Sequence, residues 1–289
     1  MIAAQLLHKS GYDSYNLQGG MKAWSMSWNT GSVSFDHFEL IQFRRTGKGC
    51  LSYMIVSGQE AMVLDASLPV DIYKNFIDHR KLTLKHIVDT HIHADHLSRS
   101  NKLADGYGLK PSIPQNDKLT FPFDSISDGT IFQIGEVEVK AIHTPGHTLE
   151  STSYLVDEKV LLTGDTLFTN GVGRPDLKSN KEEAEKKAIL LFHSIQKLIS
   201  LEKSIIVMPG HTSQPVAFDN QPIQAVLKEV VKNTPLLKAS EQEFVRSVLK
   251  RIPNPPENYL KIVEKNLSGD FTDVNPVDLE AGANRCAIS

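Results

Sequence analysis

The chain is poor in cysteine: Cys50 and Cys286, far apart, are the only two in 289 residues. That excludes a disulfide framework and a thiolate metal cage, and it fits a reducing compartment. Long apolar runs are also missing. No stretch approaches the roughly 18 residues of a membrane span. The N-terminus, MIAAQLLHKSG, lacks the charged-then-apolar order of a signal peptide. The expectation is a cytoplasmic protein without membrane attachment. Neither sign of charge dominates: 31 Lys and Arg face 34 Asp and Glu, a formal net charge of -3. No global field therefore favours nucleic acid or an anionic membrane. Internal repeats and low-complexity tracts are absent too. With 40% hydrophobic and 22% charged residues, the chain has an ordinary folded composition. Its length suits one large domain with appendages, or two modest domains.

Residues 1–30 read as a separate piece. AAQLLHKSG suggests a short helix closed by Gly11, YDSYNL alternates like a strand, and GGMKAW suggests a turn into a second helix. NTGSVS (29–34) reads as a linker. From Phe35 onward FELIQF, CLSYMIV, AMVLDA, HIVDT, EVKAIHT, STSYLV, KVLLT and SIIVM are short strand-like runs bounded by Gly, Pro, Asp and Ser. The clearest helix is KEEAEKKAILLFHSIQKLIS (181–200), with Ser179 and Glu182 at capping-box spacing. After His211 helical patterns dominate, and VNPVDLEAGANRCAIS reads as a polar tail. Strands first, then helices, predict an α+β fold in αββα layers.

The chemistry concentrates in THIHADH (90–96), directly after the strand HIVDT. Along an extended backbone His91, His93 and Asp95 share one face, and His96 joins them once the chain turns. Imidazole and carboxylate are ligand types for first-row metals. Three further segments repeat one design. VEVKAIHTPGH delivers His147, KVLLTGD delivers Asp165, and SIIVMPGH delivers His211. Each is a hydrophobic strand, a turn pair with glycine, then a ligand-type residue. Such exits can converge on one edge of a sandwich. His8, His37, His79, His86 and His193 read as ordinary surface or core histidines. His143 reads as an inward strand residue or as a donor behind the ligands. Cys50 reads as core packing, and Cys286 as a thiol in a mobile tail.

THIHADH, TPGHT, TGDT and PGH, in this order, resemble the metallo-β-lactamase superfamily over about residues 35–215. The resemblance implies an αββα sandwich with the site on one edge, followed by a helical extension and tail (216–289). Within the superfamily, TGDTLFTNGVGRPDL (163–177) is most similar to glyoxalase II and the persulfide dioxygenases, and Arg174-Pro175-Asp176 is closer to the latter. GYDSYNLQGGMKAW resembles the last strand and helix of a rhodanese domain. It lacks the rhodanese cysteine, so residues 1–30 are not a working sulfurtransferase.

For a persulfide dioxygenase the resemblance implies one Fe(II) per chain held by His91, His147 and Asp165. His93, Asp95, His96 and His211 would lie behind these ligands or on the substrate side. The reaction would join O2 to a thiol persulfide, such as glutathione persulfide, giving sulfite. For glyoxalase II the same seven positions would hold two zinc ions and hydrolyse a thioester. Zinc could also replace iron in the first case. Asp95 and Arg174 are the candidate catalytic residues, Arg174 for positioning an anionic substrate or the active-site loop. A homodimer is compatible with these readings. A nuclease would want a basic face. A non-catalytic scaffold would leave costly buried imidazoles and carboxylates unused.

Overall fold

The computed structural model describes residues 2–255, 257–280 and 286–288. Helices α1 (Ile2–Lys9) and α2 (Gly20–Met26) come first. Residues 12–17 between them form no strand, contrary to the alternating pattern of YDSYNL. The expected linker is also a strand: β1 (Trp28–Ser34) pairs antiparallel along its whole length with β2 (Glu39–Arg45). Small polar residues are tolerated there because β1 is an edge strand with neighbours on one side only.

The first sheet continues through β3 (Leu51–Ser57), β4 (Glu60–Leu64), β5 (Thr83–Val88), β6 (Ser112–Pro114) and β7 (Asp124–Ile126), in sequence order. It is antiparallel up to β4 and parallel from β4 to β7. Next come β8 (Ile131–Ile134), β9 (Val137–His143), β10 (Thr152–Val156), β11 (Val160–Leu162), the short β12 (Val172–Gly173), β13 (Ile206–Met208) and β14 (Ala225–Val226). All but β12 form the second sheet, in the order β14-β13-β11-β10-β9-β8. β12 pairs instead with β15 (Ala287–Ile288) near the C-terminus.

Side-chain alternation makes the layers. Leu51, Tyr53 and Ile55 of β3 meet Tyr154, Val156 and Leu162 between the two sheets. Met54 and Val56 turn outward beneath α3 (Val70–His79), packing with Tyr73 and Ile77, and beneath α4 (Ser100–Asp105). Leu155, Leu161 and Val207 turn the other way, toward α5 (Lys181–Ile199), α6 (Leu227–Asn233) and α7 (Glu241–Lys250). The result is an αββα sandwich. The α5 capping box sits one residue later than the sequence pattern suggests: Asn180 accepts from the Glu183 amide, and Glu183 from the Asn180 amide. Asparagine caps as well as serine, and the extended Asn180 backbone suits the position.

Beyond the sandwich, α8 (Tyr259–Ser268) and α9 (Pro276–Leu279) cover the loop that follows β5. The predicted polar tail is only partly so. Residues 281–285 and 289 of it lie outside the described residues. Glu280 and Cys286, however, are 1% exposed, so Cys286 is not on a free tail.

Candidate metal centre

The ligand-type residues leave the sandwich at one edge: Asp65 after β4, His91 to His96 after β5, His147 after β9, Asp165 after β11 and His211 after β13. All are buried. Glycine is required at two of these exits. Gly164 has φ 49°, and a Cβ there would lie 2.7 Å from Thr90 Oγ1. A Cβ on Gly210 would lie 2.8 Å from Asp165 Oδ1.

Hydrogen bonds fix which nitrogen of each histidine is left to bind. The Thr90 hydroxyl donates to Asp65 Oδ2 at 2.9 Å, so His91 Nδ1 must donate to Thr90 Oγ1 at 2.8 Å. His93 Nε2 donates to Asp65 Oδ1 at 3.1 Å. His96 Nδ1 donates to Asp95 Oδ1 at 3.1 Å, and His147 Nδ1 to the Arg174 carbonyl at 2.8 Å. His211 Nδ1 donates to Asp165 Oδ1 at 2.5 Å. Each ring is left with a second nitrogen that this bond does not use. Among the described residues His91 Nε2, His93 Nδ1, His96 Nε2, His211 Nε2 and Asp165 Oδ2 are buried without a hydrogen-bond partner. His211 Nε2 lies 2.6 Å from Asp95 Oδ2, but without hydrogen-bond geometry. Buried polar atoms in such numbers are costly unless something binds them. A divalent metal fits this donor set.

The donors fall into groups whose atoms all lie within 4.8 Å of one another. One is His91, His147 and Asp165; another is Cys50, Asp95, His96 and His211. His93 groups with Asp65 and Asp89 rather than with His91 and His147. Asp65 has φ 54°, a left-handed backbone that costs an aspartate of order 1–3 kcal/mol. Its carboxylate is held by the Thr90 amide and hydroxyl and by His93, which keeps it there.

The electrostatics are those of a dense buried cluster. Burial, then the neighbouring His93, push His91 well below the ordinary histidine range. Burial would raise Asp165, but His211, His147 and His91 hold it well below the usual carboxylate range. Burial and Asp95 raise the Cys50 thiol, yet His96 and His211 outweigh them and bring it down to about 6.

Several residues escaped the sequence reading. Cys50 is not simple core packing: its Sγ lies 3.4 Å from Asp95 Oδ2. Cys286 groups with Asp165 and His211, although 236 positions separate it from Cys50. Asp65 stands next to the end of AMVLDA in the same strand-exit position as the candidate ligands, but no glycine marks it. Asn266 on α8 donates to the His93 and His96 carbonyls and so holds the THIHADH loop. His143 is exposed and contacts the Leu149 carbonyl, so it stands neither inward nor behind a ligand. Arg174 is fully buried. Its guanidinium makes two bonds to Asp176 and others to the Pro253 and Asn254 carbonyls, so it braces the loop.

The sequence pattern of the metallo-beta-lactamase superfamily matches residues 45–211, more than half of the chain and all seven expected ligands. The chain belongs to this superfamily. Hydroxyacylglutathione hydrolases of Brucella ovis and Brucella abortus are 33% identical over 180 residues, covering 60% of this chain and 67% of theirs. Among solved structures, a metallo-beta-lactamase from Staphylococcus aureus subsp. aureus COL superposes with a TM-score of 0.73 at 25% identity. It covers 82% of this chain and 74% of its own. ETHE1 from Myxococcus xanthus gives 0.67 at 23% identity, covering 83% of this chain and 99% of its own. The superfamily comprises metal-dependent hydrolases and oxidoreductases. No helix among the described residues is long and apolar enough to cross a membrane.

Proposed function

We propose that the chain is a persulfide dioxygenase, oxidising a thiol persulfide with O2 to sulfite at one Fe(II) held by His91, His147 and Asp165. One observation carries this reading: His91, His147 and Asp165 each offer a donor atom within 4.8 Å of the others, in a set that does not include His93. Two imidazoles and one carboxylate are the donors of a facial triad. When bound, iron in such a triad supplies redox chemistry and adjacent open positions for O2 and sulfur.

The chain's own groups arrange the triad. Thr90 and the Arg174 carbonyl fix the His91 and His147 tautomers, and His211 occupies Asp165 Oδ1 so that Oδ2 faces the triad. With Oδ1 so engaged and His211 beside Asp95, Asp165 is poorly placed to bridge a second ion. Asp95 and His211 then act behind the triad, on the substrate side. Residues 1–30 we read as a partial rhodanese-like segment outside this chemistry.

Thioester hydrolysis at two zinc ions is the second reading. It is favoured by the similarity to hydroxyacylglutathione hydrolases and by the inward, unpartnered nitrogens of His93 and His96. Oxygen consumption with glutathione persulfide decides between the two. The dioxygenase requires persulfide-dependent uptake of O2. Two bound zinc ions, rapid cleavage of S-lactoylglutathione and no such uptake would establish the hydrolase.

A further inference from the structure

The buried stripe of α5 runs through Ala184, Lys187, Ala188, Leu191, Ser194, Ile195 and Leu198. Lysine stands where this spacing reserves a place for an apolar side chain. Lys187 is 9% exposed. Its ammonium reaches two neutral oxygens, the Leu177 carbonyl and Ser179 Oγ, both at 3.3 Å. No carboxylate among the described residues forms an ion pair with it; Glu150, Asp176 and Glu183 act on it only from farther away. A buried cation without a counter-ion is costly.

Lys187 lines a cavity of about 420 Å3 that His147 also lines, so the space abuts the metal centre. Ile92, Leu177 and Val263 supply apolar wall; Lys118, Lys178 and Lys186 add three further ammonium groups against the carboxylates of Glu150 and Glu183, which leaves the lining net positive. The cavity is within the usual size range for small-molecule sites.

We propose that this cavity holds the thiol carrier of the substrate, and that Lys187 binds a carboxylate of that carrier and so positions its sulfur beside His147. The carrier is thus a thiol that bears a carboxylate. The inference rests on the thiol-carrier substrate of the preceding section, and it applies to persulfide and thioester alike. A ligand carboxylate would supply the missing counter-ion, and a charge-assisted hydrogen bond in a buried setting is among the stronger polar contacts.

The test is calorimetric titration of the iron-loaded full chain, under nitrogen, with S-methylglutathione and with its dimethyl ester. The thioether can be neither oxidised as a persulfide nor hydrolysed as a thioester, so the result is independent of which reaction the centre performs. The wild type should bind the free acid at least about tenfold more tightly than the ester. Lys187→Met should lose that preference while keeping its affinity for the ester, and Lys187→Arg should retain part of it. An unchanged acid-to-ester ratio in Lys187→Met would overturn the proposal. So would a wild type that does not bind the acid or does not distinguish it from the ester, a measurement that needs no variant to fold. Failure of the oxygen-uptake assay alongside a Lys187-dependent preference would remove the dioxygenase and leave this assignment standing.

Discussion

Thr90 is the residue that orients the candidate ligand His91. Its hydroxyl proton is committed to Asp65, which obliges His91 to donate from Nδ1 and present Nε2. Thr90→Val keeps the shape and removes both bonds. Metal affinity should fall by roughly 10–100-fold, read by competition with a chelator, whereas Thr90→Ser should stay near wild type. Affinity unchanged in the valine variant would show that packing alone sets the ring. Asp165 contributes the only negative charge among the three proposed ligands. Asp165→Ala should abolish persulfide-dependent oxygen uptake. Asp95 belongs to the neighbouring group with Cys50, His96 and His211. Asp95→Ala should therefore lower the rate yet leave the bound iron in place. Loss of all metal from that variant would mean that Asp95 holds an ion.

At the scale of elements, the piece following α9 ties the C-terminal extension to the ligand loop. Glu280 pairs with Arg45 at 2.7 Å and with Arg99 at 2.6 Å, and accepts from the Leu97 amide at 2.8 Å. Leu97 directly follows His96, so the helical extension braces the loop that carries four candidate ligands. Burial would raise Glu280, but Arg99 and Arg45 bring it down from 4.5 to about 2. A carboxylate depressed in the folded state stabilises fully above its unfolded pKa, and that contribution is lost as pH falls through the folded value. The window here runs from about 4.5 down to about 2. The linkage amounts to about 3 kcal/mol at neutral pH. Glu280→Gln should cost about that much in urea denaturation at pH 7, and the two proteins should converge as pH approaches 2. Parallel curves across that range would remove the ion-pair explanation. The capping box of α5 offers a smaller test: Asn180→Ala should lower stability by about 1 kcal/mol.

For the whole molecule, the buried, unpartnered donor atoms predict that metal binding and folding are coupled. A metal that binds only the folded chain stabilises it by mass action, about 4 kcal/mol at a thousandfold excess over Kd. Chelation should lower Tm, and restoring Fe(II) should recover it. Anaerobically purified protein should carry one iron per chain by elemental analysis. Two metals per chain would mean that the Cys50–Asp95–His96–His211 group is also filled. A Tm indifferent to chelator would mean that the sandwich core alone sets stability.

Local patterning determined much of this in the sequence. Period-two runs gave the strands, THIHADH gave His91, glycine-marked strand exits gave His147, Asp165 and His211, and the run of strands before helices gave the layers. Each of those signals is local to a short stretch of chain, and a single rule of backbone geometry reads each. Three things escaped because they depend on contacts distant in sequence. Asn29 to Ser34 carry no strand signal and become β1 only because β2 offers an edge to pair with. Glu280 reads as part of a polar tail until Arg45 and Arg99 appear beside it. Cys50 and Cys286 are unrelated in sequence and meet around His211 only when the second sheet has closed and β15 has paired with β12. The sequence determined which residue types are available to hold a metal. The tertiary structure decided how those donors are grouped, because their separations depend on how two sheets from distant parts of the chain pack against each other.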